Sequence, residues 1–123
     1  MIFSDMTRDE RAELKDGLRF IAGHYGITHQ MLKLLEECGE LLTAQMKTTQ
    51  AFIEGKPLSD LFDAQHTEFA DVGVVWVQVF MLMPKEERKR VLNTMLTKVR
   101  RQLQRIEQET SQEKQETTQE TQE

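Results

Sequence analysis

The feature that most limits what this chain can fold into is its last 17 residues, EQETSQEKQETTQETQE (107–123), which contain no apolar side chain. Six Glu, five Gln, four Thr, one Ser and one Lys cannot bury enough surface to offset the entropy of ordering. A disordered Glu/Gln/Thr-rich tail is therefore expected over 107–123, with the folding information confined to residues 1–106. That length suits one small domain. The tail also carries the charge imbalance. The chain has 16 basic and 21 acidic residues, a net −5, and the tail alone contributes −5. Residues 1–106 are then balanced, and the acidic character says nothing about the partners of the folded part.

Several classes are excluded early. One cysteine, Cys38, permits neither an internal disulfide framework nor a cysteine-rich zinc site. The first 13 residues hold four acidic side chains and no long apolar run, unlike a signal peptide. The longest near-apolar stretch, Val72 to Met83, is interrupted by Gln78 and is too short to cross a bilayer. The expectation is a cytoplasmic protein with no membrane partner. Nucleic acid is disfavoured as a partner, because the foldable part is neutral and few aromatics interleave with its basic residues.

The periodicity predicts four helices. Thr7-Arg8-Asp9-Glu10 has the T-x-x-E pattern of a capping box, and Gly23 and Gly26 bracket the stop of this first helix. A second runs from about Ile27 to Glu54, before the break at Gly55-Lys56-Pro57. Ser59 offers a new N-cap for a third, which ends near Met83. Its valines at 72, 74, 75, 77 and 79 suit a strand by propensity, but the flanking residues extend the segment beyond normal strand length. Pro84 and the acidic pair after it suit the first turn of a fourth helix reaching Ile106 on Val91, Leu92, Met95, Val99, Leu103 and Ile106. With 38% hydrophobic residues, a single copy is expected to need a partner to complete its core.

Chemistry concentrates in the carboxylates. On the second helix Leu34, Cys38, Leu41, Met31, Leu42 and Leu35 form the apolar side, and Gln30 and Glu37 border the opposite polar stripe with Lys33, Glu36, Glu40 and Lys47. Glu37 and Glu40 are three residues apart and can converge on one ion. Glu68 and Asp71 repeat that spacing just before a stretch that is apolar on every side, where unpaired charge is costly. A solvated face, a helix-dipole partner or a basic neighbour would each account for part of this. The sharper reading brings Glu37, Glu40, Glu68 and Asp71 together across two helices around a hard divalent cation, which prefers carboxylate, water and phosphate oxygens. Residues 85–105 hold eight Lys/Arg against two Glu, with Lys98, Arg101 and Arg105 on one stripe, suited to a polyphosphate.

These residues carry a family resemblance. HQMLKLLEECGELL (29–42) followed by TEFADV (67–72) resembles the MazG-like all-α nucleoside triphosphate pyrophosphohydrolases, whose signature is E-E-x-x-E on one helix and E-x-x-D on the next. Gln30 and Lys33 resemble the H-Q-x-x-K lead-in of a small branch of that family. Thr97-Lys98-Val99-Arg100-Arg101 resembles its C-terminal basic motif, although the Lys-Phe pair and nearby Asn of better-known members are absent. The resemblance covers roughly residues 20–106. It implies an all-α four-helix bundle completed by homodimer or homotetramer formation, and hydrolysis of an NTP or dNTP to monophosphate and pyrophosphate. It further implies Mg²⁺, with Mn²⁺ as a substitute, on Glu37, Glu40, Glu68 and Asp71. Glu36 and Glu37 would act in catalysis, and Gln30, Lys33, Lys98 and Arg101 would contact the substrate. The rivals are a di-iron or di-manganese carboxylate bundle, weakened because the chain has no Glu-x-x-His, and a non-catalytic helical adaptor that keeps the fold.

Overall fold

The computed structural model describes residues 4–122, which are helical apart from short turns, with no strand among them. The described residues form three helices: α1 (Arg8–Ile53), α2 (Ser59–Leu82) and α3 (Lys85–Gln122). They divide into two compact units, Met1–Met83 and Pro84–Glu123.

The start of α1 follows the predicted capping box. The Thr7 backbone N–H donates to Glu10 Oε2 at 2.8 Å, and the Glu10 N–H donates to Thr7 Oγ1 at 3.2 Å. This reciprocal pair satisfies donors that a helix end leaves without partners. The two helices expected on either side of Gly26 form one element interrupted there. Gly26 has φ 80° and ψ 172°, a conformation that only glycine adopts readily. Residues on both sides of this break reach the same end of α2. Leu14 and Leu18 share a small apolar cavity with Val77 and Met81, and Gln30 pairs with Gln78. The far end of α1 closes in a Schellman motif. Gly55, at φ 68°, donates to Phe52 O, and Lys56 N–H reaches back to Ala51 O at 2.9 Å. Ser59 does not cap α2 as expected; Leu58 holds that position without a side-chain hydrogen bond.

In the first unit, α1 after Gly26 packs antiparallel against α2. The inward positions of α1 are Gln30, Leu34, Glu37, Leu41, Ala44, Thr48 and Ala51, and those of α2 are Leu61, Gln65, Glu68, Val72, Val75 and Val79. Both sets alternate steps of three and four residues, the seam of a helix pair crossing at a shallow angle. This corrects the predicted face. Leu34 and Leu41 are half-buried, but Met31, Leu35, Cys38 and Leu42 are exposed, while Gln30 and Glu37 are 3% and 6% exposed. One physical reason lies on α2, where Gln78 is buried. Burying that amide against leucine would leave it without a partner, so the polar border of α1 turns inward and Gln30 meets it. Thr48 satisfies itself by donating to Ala44 O at 3.0 Å.

The buried apolar residues of the described chain are Leu18, Ala22, Ala51, Val75 and Val79. Two of the five are alanines, which add little burial energy at ~0.8 kcal/mol per methylene. Large side chains remain outside, including Leu35 at 71%, Phe52 at 73% and Phe69 at 55% exposure.

The second unit is the single helix α3. It does not stop near Ile106, and residues 107–122, expected to lack order, continue it with every side chain exposed. Glu, Gln and Lys are strong helix formers, and Thr110, Ser111, Thr117, Thr118 and Thr121 each donate to the carbonyl four residues back. Local propensity, rather than burial, holds this stretch.

Candidate metal centre

The antiparallel register of α1 and α2 brings three carboxylates together. Glu37, Glu40 and Glu68 each offer an oxygen, and these atoms lie within 4.8 Å of one another. The spacing of three on α1 aims Glu37 and Glu40 the same way, and α2 supplies Glu68 from the opposite side. Two glutamine pairs span this register: the buried Gln30 amide donates to Gln78 Oε1, and at the far end the Gln65 amide donates to Gln45 Oε1 in an exposed pair. Glu68 lies well inside α2, beyond its first turn, so the positive end of the helix dipole does not compensate its charge.

The cluster is under-neutralised. Lys33 Nζ lies 2.9 Å from Glu37 Oε1 and 3.2 Å from Glu36 Oε2. Glu37 Oε2 and Glu68 Oε2 are buried and have no hydrogen-bond partner. A buried carboxylate oxygen with nothing to accept from is an expensive arrangement, and such an atom asks for a cation or a donor. The strain is also electrostatic. The charge of Glu37, then burial, then the charges of Glu68 and Glu36 push the Glu40 carboxyl above its ordinary pKa. Hydrogen bonds to Glu37 and Glu36 hold the Lys33 ammonium well above the usual lysine range. The donors are all carboxylate oxygens with no imidazole or thiolate among them, a set that fits Mg²⁺, Mn²⁺ or Ca²⁺ better than zinc or iron.

A groove of about 380 Å³ opens beside these carboxylates. Glu36, Glu40 and Glu68 line one end, Lys47 and Leu61 the other, and Gly39, Thr43, Ala44 and Ala64 lie between them. These small side chains leave room that larger ones would fill. The volume is within the usual range for small-molecule sites.

Other expected site residues lie elsewhere. Asp71 is one turn beyond Glu68, exposed, and outside the converging group. Glu36 is exposed on the groove wall. Gln30 is buried, with its amide nitrogen on Gln78 and its oxygen 2.7 Å from His29 Nδ1. That ring stacks on Tyr25 with centroids 4.4 Å apart. Lys98 and Arg101 are exposed on α3, in the second unit. Three residues had no assigned role in the sequence reading: Lys47 and Thr43 in the groove, and Gln78 in the seam. Gln78 carried a signal, since a glutamine within an otherwise apolar helix must find a polar partner.

No helix among the described residues is long and apolar enough to cross a membrane. No family model matches this chain, and neither a curated protein nor a solved structure matches it.

Proposed function

We propose that this chain is a Mg²⁺-dependent nucleoside triphosphate pyrophosphohydrolase, converting an NTP or dNTP and water to the monophosphate and pyrophosphate. The observation that carries the reading is the convergence of Glu37, Glu40 and Glu68 across two helices, with one oxygen of Glu37 and one of Glu68 buried without a hydrogen-bond partner. The choice of reaction rests on the resemblance of Glu36-Glu37-x-x-Glu40 and Glu68-x-x-Asp71 to the MazG-like signature, with the groove as supporting geometry.

In this reading Glu37, Glu40 and Glu68 would hold the ion, and Asp71, one turn beyond Glu68 and outside the converging group, would be a further ligand as the resemblance implies. A bound Mg²⁺ supplies charge neutralisation on the phosphate oxygens and lowers the pKa of a coordinated water. Glu36, on the groove wall, orients the attacking water and accepts its proton. Water attacks the α-phosphorus, the bond to the α,β-bridging oxygen breaks, and pyrophosphate leaves. Lys47, which lines the groove, and Lys33, which pairs with Glu36 on its wall, meet phosphate oxygens in this reading. Lysine suits this task as a compact, mobile point charge.

The apolar residues left outside the seam support assembly into a homodimer or homotetramer. Phe62, Phe69 and Trp76 recur every seven residues along α2, and Leu35 and Leu42 do so on α1. Such stripes suit a second helix pair of the same kind.

Hydrolysis in ¹⁸O-labelled water tests the chemistry. Attack at the α-phosphorus puts the label into the nucleoside monophosphate and leaves pyrophosphate unlabelled. Diphosphate and inorganic phosphate as products would overturn the assignment. An intact nucleotide pool with a well-folded, metal-loaded protein would favour the adaptor reading.

A further inference from the structure

Lys33 stands in a position that a metal centre alone does not require. Its ammonium spans two carboxylates, one turn apart from it on the same helix, at 2.9 Å from Glu37 Oε1 and 3.2 Å from Glu36 Oε2. Glu37 is the most buried member of the converging group, and its other oxygen, Oε2, is buried without a partner. One carboxylate of the converging group therefore holds an ammonium on Oε1 and leaves Oε2 buried without a partner.

We infer that Lys33 is a built-in counter-ion of the carboxylate cluster, which competes with the divalent cation for Glu37 and is released by ion binding toward the phosphates of the substrate. The inference rests on the metal-binding reading above and adds to it an order of events. An ion on Glu37 and an ammonium on the same carboxylate are like charges at close range, so each weakens the hold of the other. The two partners of the ammonium differ in freedom. The Glu37 side chain is 8% exposed and fixed in the seam, whereas that of Lys33 is 40% exposed on a flexible four-carbon stem. The ammonium is the group that moves. Glu36 keeps it near the groove that Glu36 itself lines, at the end where a polyphosphate would meet the cluster. Lys33 thus acts through Glu37 as a positioning residue before substrate arrives.

The sign of one measurement separates this role from a merely structural one. Mn²⁺ is titrated into the full chain, with free ion followed by electron paramagnetic resonance and heats by calorimetry. Wild type is compared with Lys33→Met, Lys33→Arg and Glu37→Gln, with folding checked by circular dichroism. Removing a competitor tightens binding, so Lys33→Met is expected to bind Mn²⁺ on the order of three- to tenfold more tightly than wild type. Lys33→Arg, which keeps the positive charge, is expected to bind no more tightly than wild type. Unchanged or weaker binding by Lys33→Met would overturn the inference, since a bridge that only props Glu37 in place predicts weaker binding. Equal Mn²⁺ affinity in wild type and Glu37→Gln would overturn the metal reading itself, a separate result.

Discussion

The Gln30–Gln78 pair offers a quantitative test of how the seam builds the site. Both side chains are nearly inaccessible, at 3% and 1% exposure, and the Gln30 amide donates to Gln78 Oε1. Replacing Gln78 alone by Leu leaves the Gln30 amide buried without its acceptor, at a cost of about 1–3 kcal/mol. For a domain of 60–100 residues, 1 kcal/mol corresponds to roughly 4–8 °C in Tm, so a loss of about 4–24 °C is expected. Replacing both residues by Leu removes the orphan and adds apolar burial, and stability returns to within about 1 kcal/mol of wild type. The two polar residues also fix the register, because glutamine opposite glutamine disfavours a slipped pairing that leucine opposite leucine tolerates. A slip of one turn moves Glu68 about 5 Å along the seam, away from Glu37 and Glu40. The double variant is thus expected to be stable yet to bind Mn²⁺ at least about tenfold more weakly. Urea denaturation followed by Trp76, the single tryptophan, gives the stability arm, and calorimetry gives the affinity arm. Additive destabilisation by the two single changes, or a double variant with wild-type Mn²⁺ affinity, would refute the reasoning.

Other consequences follow from the same geometry. Glu68→Gln, within the converging group, is expected to weaken Mn²⁺ binding about tenfold or more, and Asp71→Asn, on the exposed side, by less; titration of both orders them. The raised pKa of Glu40 means that the fold favours its protonated form. Without divalent ions, this contribution to stability is complete below the usual 4.5 and disappears as pH rises through the raised value. The Tm difference between wild type and Glu40→Gln should change across that window in low salt and a chelator, and a pH-independent difference would contradict the assignment. Deleting residues 107–123 should lower the helical circular dichroism signal while leaving turnover unchanged. Phe69→Lys should shift the mass measured by light scattering toward the monomer, while the α1–α2 seam stays folded.

Much of this was legible in the sequence because its signals were local. Thr7 and Glu10 encode a capping box, Gly26 a break and Gly55 a helix end, and each needs only its immediate neighbours. The valine-rich segment was decided by length against β-propensity. The convergence of Glu37, Glu40 and Glu68 was also readable, since i,i+3 spacing fixes direction on a helix and the apolar surroundings of α2 force its carboxylates to find a use. What escaped depends on the partner helix. The inward face of α1 follows the Gln30–Gln78 pair across the seam, so the apolar arc that includes Met31, Leu35, Cys38 and Leu42 is exposed although its composition suggests a core. The groove lined by Thr43 and Lys47 arises only when Leu61 and Ala64 lie opposite. For the tail, the absence of apolar residues predicted disorder, whereas the helix propensity of Glu and Gln favours the helix found. Composition excluded a packed core there, and did not exclude a local helix.

The account stands most directly on whether the three carboxylates support hydrolysis. Pyrophosphate release from a panel of ribo- and deoxyribonucleoside triphosphates, with Mg²⁺ or Mn²⁺, should be measured for wild type, Glu40→Gln and Glu68→Gln. The account predicts turnover of at least one nucleotide by wild type, dependent on the ion, and its loss in both folded variants. Turnover that persists in both variants, or no release from any nucleotide by a metal-loaded wild type, would contradict it.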